Sequence, residues 1–176
     1  HPMVFKFGNE YDVNIDFINE ANAIVNGNQV TYLLGIESRG AYAIALNFNE
    51  FFLTENTELY FYDKDRSSYL GSFNSLNNKS TLDLTTSLIK SDRIIIELNI
   101  PLNEVKDLKL NIDTIIHDYS DINNYHDIMD AQREDCNINV ACEEGNDWRD
   151  QIDGVIRVTM GGGLCSASLI NNTTND

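Results

Sequence analysis

No cysteine precedes position 136 in this 176-residue chain; Cys136, Cys142 and Cys165 all fall in its last quarter. The long front part therefore has no disulfide staples and must be held by hydrophobic burial, for which the length is sufficient. Basic residues are also scarce, with 12 Lys and Arg against 28 Asp and Glu and a formal charge of −16. Such a surface repels nucleic acid and anionic membranes, so neither is expected as a partner; it suits a soluble secreted protein. No apolar run is long enough to span a bilayer. No signal peptide is visible, and because the chain opens on His1-Pro2, that absence leaves the compartment open. Lysine is missing altogether beyond Lys109. The apolar fraction is ordinary and aromatic residues are plentiful, which excludes disorder for most of the chain.

What is present, from 5 to 117, is alternation of apolar and polar residues with a period of two, the pattern of half-buried strands. Tyr32, Leu34 and Ile36 share a face; Ile44, Leu46 and Phe48 share another, opposite Ala43, Ala45 and Asn47. Leu59 and Phe61 alternate with Tyr60 and Tyr62, and Ile94, Ile96, Leu98 and Ile100 with Ile95, Glu97 and Asn99. The clearest case is Leu108, Leu110 and Ile112 against Lys109, Asn111 and Asp113. Turn residues separate these runs: Asn26-Gly27-Asn28, Arg39-Gly40, Asp63-Lys64-Asp65, Asn77-Asn78-Lys79 and Ser91-Asp92. About eight short strands at roughly ten-residue spacing, without an amphipathic helix, indicate an all-β fold, an antiparallel β-sandwich of jelly-roll type over residues 1–117. The run Asn-Glu-Phe-Phe-Leu-Thr at 49–54 fits either a helical turn or a further strand.

Residues 118–135 are rich in Asp and Asn and hold a single basic residue, Arg133. They read as a solvated, protease-sensitive connector between two domains. A second globular segment, 136–176, follows. It consists of a cysteine-bearing loop, a polar turn at 148–151, a strand beginning at Val155, Ile156 and Val158, a Gly161-Gly162-Gly163 turn and a second strand from Leu164 to Ile170. This is the pattern of a first β-barrel hairpin lacking the strands it would pair with.

An odd number of cysteines crowded into that segment points to a disulfide framework whose partners lie beyond Asp176; buried free thiols in a cytosolic domain are the alternative. A zinc site is not expected, because the spacing of Cys136 and Cys142 and the lack of nearby histidine fit no common arrangement. Of the histidines, His117 ends the last sandwich strand and His126 lies in the connector, and both read as solvated or structural. Ser166 and Ser168 lack the Gly-x-Ser-x-Gly setting of an activated nucleophile. The acidic pairs Asp63/Asp65 and Glu143/Glu144 lack EF-hand spacing and read as solvated loops. No catalytic residue, metal or cofactor is therefore expected within the chain.

The run from Cys136 through Cys142 to Ile152, and Gly163-Leu164-Cys165-Ser166-Ala167-Ser168-Leu169-Ile170-Asn171-Asn172-Thr173, closely resemble the mature amino terminus of bacterial lysyl endopeptidases. These are secreted, trypsin-like serine proteases. More loosely, Gly71-Ser72-Phe73-Asn74-Ser75, Asp92-Arg93-Ile94-Ile95-Ile96-Glu97 and Gly40-Ala41-Tyr42 resemble the β-rich propeptide of such precursors. The resemblance implies a propeptide sandwich (1–117), an acidic processing linker (118–135) and the truncated first hairpin of a trypsin-like barrel (136–176). It implies that Cys165 bonds a cysteine beside the catalytic His downstream and that Cys136 and Cys142 tie the mature end to the barrel. Bridges of this kind stabilise a secreted domain by about 2–4 kcal/mol each. The partners implied are the chain's own downstream protease domain and peptide or protein substrates cleaved after Lys or Arg, in an extracellular setting. With no lysine in the connector, Arg133 is the expected processing site. The competing expectation is a non-catalytic sandwich module that binds carbohydrate or a surface through Tyr60, Tyr62 and Tyr69.

Overall fold

The computed structural model describes residues 5–124 and 143–169. Within them the period-2 runs become antiparallel strands. A five-stranded sheet has the order β3 (Asn22–Asn26), β4 (Gln29–Glu37), β9 (Arg93–Pro101), β6 (Glu58–Asp63), β7 (Tyr69–Phe73). A four-stranded sheet has the order β2 (Gly8–Asp16), β10 (Lys109–Asp118), β5 (Ala43–Phe52), β8 (Leu84–Thr85). The two face each other as a sandwich. Ile94, Ile96, Leu98 and Ile100 of β9, with Leu59 and Phe61 of β6, meet Ile44, Leu46 and Phe48 of β5 in one core, and all are essentially inaccessible to water. Ring contacts between Phe48 and Phe61 at 6.0 Å and between Phe61 and Phe73 at 5.5 Å are edge-to-face, the arrangement aromatic quadrupoles favour. One end is plugged by Phe17, fully buried on the single-turn helix α1 (Phe17–Glu20), whose start is capped by the Asp16 carboxylate accepting from the Asn19 amide.

Two local readings resolve. The run at 49–54 is not a helical turn: β5 continues to Phe52, with Phe51 buried in the core. On β10 the alternation that reads so clearly through Asp113 changes phase. The pairing shifts between Ile112 and Thr114 against both neighbours. Leu110 and Ile112 therefore belong to the inter-sheet core, whereas Ile116 packs with Ala45, Phe7 and Ile122 in a second, outer cluster. A bulge adds one residue and so exchanges the faces of everything beyond it.

That outer cluster explains why Ala45 is nearly as buried as its inward neighbours. It also changes the reading of the connector, whose first residues are part of the sandwich. Asp118 is fully buried and accepts from the amides of Ser120 (2.9 Å) and Ile122 (3.1 Å), and Ile122 is buried too. Burial pushes the Asp118 carboxyl up, against the pull of those amides. The second segment holds a 3-10 turn (Glu143–Trp148), helix α2 (Arg149–Asp153) and a hairpin of β11 (Val155–Met160) and β12 (Gly163–Ser168), so the region read as a polar turn at 148–151 is helical.

Because Phe61 is surrounded by core side chains from both sheets, Phe61→Ala is expected to destabilise the sandwich by about 3–5 kcal/mol, the usual cost of deleting a buried ring. Urea unfolding followed by circular dichroism measures it; a loss below about 1 kcal/mol contradicts the packing described.

Candidate functional site

The hairpin does not stand alone. Its β12 edge pairs with the two-residue strand β1 (Phe5–Lys6), Phe5 opposite Leu164 and Lys6 opposite Gly163, giving a three-stranded sheet. The amides of Phe7 and Gly8 both donate to the Gly162 carbonyl, at 2.8 and 3.1 Å. In return the Gly162 amide donates to the Glu10 carboxylate at 3.0 Å. Leu164 packs onto the outer cluster of Phe7, Ala45, Ile116 and Ile122. Glycine is required on both sides of this tip. Gly161 has φ of +55°, and a Cβ there would overlap the Glu10 carboxylate; a Cβ on Gly162 would overlap the Gly8 carbonyl oxygen. The same stretch of chain is gripped from the end of the sandwich. The Tyr119 amide and Ser120 hydroxyl donate to the Phe7 carbonyl (both 3.1 Å), and the Tyr119 hydroxyl donates to that of Lys6 (2.9 Å).

Among the cysteines, Cys165 lies on β12 opposite Val158, half-buried, with a free thiol. Cys136, Cys142, Arg133 and His126 lie outside the described residues. Ser166 and Ser168 are exposed on β12. His117 is half-buried at one end of the sandwich, its Nδ1 2.8 Å from the Ser38 hydroxyl and its ring edge-on to Tyr11. A serine and a histidine in contact are not sufficient for nucleophilic catalysis. Among the described residues no carboxylate is hydrogen-bonded to the other ring nitrogen, so the pair ties the turn after β4 to β10. Asp63 accepts from the Ser67 hydroxyl at 2.6 Å and the Ser68 amide at 3.1 Å. The Ser67 bond foremost holds its carboxyl below the usual range, and the group organises the β6–β7 turn. No group of three or more His, Cys, Asp or Glu is placed to hold a metal among the described residues.

Tyr60, Tyr62 and Tyr69 do converge. The register sets Tyr60 opposite Glu97, Glu58 opposite Asn99, and Tyr62 opposite Tyr69. On the outer face of the five-stranded sheet these side chains, with Arg66 from the β6–β7 turn, line a cup of about 410 Å³. Its floor is a connected network: the Thr31 hydroxyl donates to Asn99 (2.6 Å), the Asn99 amide to Glu97 (3.1 Å), and the Tyr62 hydroxyl to Glu97 (2.6 Å). The Arg66 guanidinium lies 4.7 Å from the Tyr62 ring centroid and 3.6 Å from a Glu97 oxygen. The Tyr62 hydroxyl bond, helped by Asn99 and Arg66, holds the Glu97 carboxyl below its ordinary value although burial opposes it. Burial foremost, then Glu97, pushes the Tyr62 phenol up. The two directions agree: phenol protonated, carboxylate ionised. Sequence reading finds the tyrosines but passes over Glu97 and Asn99, whose signal is that they interrupt the outward side of an isoleucine-rich strand.

Two outcomes follow. Gly162→Val is expected to release the hairpin, so that the amides of Phe7 and Gly8 lose hydrogen-exchange protection by roughly tenfold or more while those of Leu98 and Ile100 keep theirs; equal protection in the variant contradicts the clamp. Tyr62→Phe is expected to raise the Glu97 titration toward the ordinary carboxylate range. A depressed folded pKa contributes stability that is complete above the unfolded value and is lost as pH falls through the folded one, so the variant should show a smaller acid-side loss. Carboxyl carbon chemical shifts against pH measure the first, and unfolding free energies at pH 7 and pH 3 the second.

No known family model matches the chain, and no solved structure matches it.

Proposed function

We propose that the chain is the amino-terminal portion of a secreted, trypsin-like serine endopeptidase precursor. On this reading a jelly-roll-type propeptide sandwich, which takes in Asp118 and Ile122, and the processing linker that leaves it lead into the first hairpin of the catalytic barrel (136–176). The observation that carries it is the grip of β1 and Gly8 on the β11–β12 hairpin, through backbone hydrogen bonds and the Glu10 carboxylate. Backbone pairing of this kind is strand addition, which gives affinity without depending on side-chain identity. A propeptide that supplies a strand to the first hairpin would template the barrel and hold it in a latent arrangement. The triad and substrate pocket would lie downstream, and the partners would be that protease domain and peptides cleaved after basic residues. Cys165, half-buried on the clamped strand, would be positioned before its downstream partner arrives; Cys136 and Cys142 would tie down the mature end.

The convergence of Tyr60, Tyr62 and Tyr69 favours a second reading, a binding module of a secreted protein for carbohydrate or a surface.

The chain as it stands is expected to show no amidase activity on Lys or Arg anilides, and a precursor carrying the downstream sequence is expected to gain it only after cleavage. Arg133→Gln in that precursor is expected to block or displace the cleavage, read as the amino-terminal sequence of the mature product. Activity that survives repurification of the 176 residues would defeat the precursor reading, and an unchanged mature end would defeat the role of Arg133.

A further inference from the structure

The cup on the outer face of the five-stranded sheet has one of the chain's own cationic side chains as part of its wall. Arg66 rises from the β6–β7 turn with φ of +56°, keeps most of its side chain in water, and lays its guanidinium between the Tyr62 ring and the Glu97 carboxylate. We propose that this cup is a seat for a basic side chain, the guanidinium or ammonium of an Arg- or Lys-bearing partner peptide, and that Arg66 is an internal plug which such a side chain displaces.

Three observations carry the assignment. The lining offers two carboxylates, Glu58 and Glu97, against one guanidinium, so the cup retains negative charge with Arg66 in place. Its aromatic walls are tyrosines, whose negative ring faces attract cations, and the seat's fit to a guanidinium is displayed by Arg66 itself. The acceptor at its centre is held before any ligand arrives. Asn99, itself held by Thr31, and Tyr62 each donate to one oxygen of Glu97, so a ligand would not have to order it. The charge of −16 over the whole chain adds long-range attraction for cations. A neutral sugar would instead need open ring faces, and one face of Tyr62 is covered by Arg66. The plug is easily moved: it is a long side chain on an exposed turn, held by one ring contact and one ion pair with partial exposure to water. This assignment is independent of the precursor reading, since the cup shares no residue with the hairpin clamp.

The test uses the 176-residue chain, labelled with nitrogen-15, and titrates it with acetyl-Gly-Arg-Gly-amide, its Lys and Gln counterparts, and cellohexaose. Expected are shifts of the Tyr62, Glu97 and Asn99 amides with the Arg and Lys peptides and none with the Gln peptide. Arg66→Ala, which vacates the seat, is expected to tighten binding by roughly three- to tenfold, as removal of an internal competitor does. Glu97→Gln is expected to weaken it by roughly tenfold or more. If near-ultraviolet circular dichroism shows that Glu97→Gln does not fold, Glu58→Gln and the loss of binding at high salt replace it. The proposal is overturned if neither basic peptide shifts the cup, if Arg66→Ala weakens binding as Glu97→Gln does, or if cellohexaose shifts the cup and the basic peptides do not.

Discussion

Strand β9 is the constraint from which both faces of the sandwich follow. It is paired along its whole length to β4 on one side, and from Ile94 to Asn99 to β6 on the other. Its alternation sends Ile94, Ile96, Leu98 and Ile100 inward, and Ile95, Glu97 and Asn99 outward. A slip of one residue would bury a carboxylate and an amide among aliphatic side chains and expose four core residues. The cost of burying an unpaired charge makes that register improbable by many powers of ten. The inward set nucleates the core with β5 and β6. The outward set becomes the floor of the cup, because Tyr60, Glu58 and Thr31 are brought opposite Glu97 and Asn99 by the same pairing.

The four-stranded sheet solves a different problem, since both of its faces are covered where β5 and β10 meet. Inward-facing Ile44, Leu46 and Phe48 lie against the other sheet, while the opposite positions, Ala43 and Ala45, are small. Small residues leave room for Phe7, Ile116 and Ile122 to pack close to the backbone, and Leu164 from the hairpin completes the layer. The phase change at Thr114 supplies Ile116 to that layer. The hairpin is thus held by two unlike forces, backbone hydrogen bonds along β1 and apolar burial of Leu164. Glu10, satisfying the amide of the Gly162 tip, removes the cost of leaving that donor unpaired.

Much of this was legible from the sequence and some of it was not, for physical reasons. Alternation is a local property, so the strands built on Tyr32, Ile44, Leu59, Ile94 and Leu110 are readable from their own residues. The bulge is not, because Asp113 and Thr114 look like one more polar–polar step until both neighbouring strands are in place. The burial of Asp118 and Ile122 is equally hidden, since an acidic segment looks solvated until its amides are seen to satisfy the carboxylate. Pairing of Phe5 with Leu164 joins the two ends of the described chain, and no pattern within either end announces the other. Tyr60 and Tyr62 are legible as aromatics on one strand, and Tyr69 stands at the start of the next. Arg66 is not, because its role depends on where a turn directs one flexible side chain.

The cup and the clamp occupy opposite outer faces of the sandwich, one on the five-stranded sheet and the other on the four-stranded sheet. Between them lies the core of Leu59, Phe61, Ile96, Leu98, Leu46 and Phe48. A core packed to the density of an organic crystal transmits only what forces its side chains into a second arrangement. Exchanging Arg66 for another cation would leave in place the hydrogen bond from the Tyr62 hydroxyl to Glu97. Occupancy of the cup should therefore leave the grip on Gly162 unaltered. A ligand at the cup would localise the sandwich without opening the hairpin, and release of the hairpin would have to come from chemistry on the connecting chain or at the tip itself.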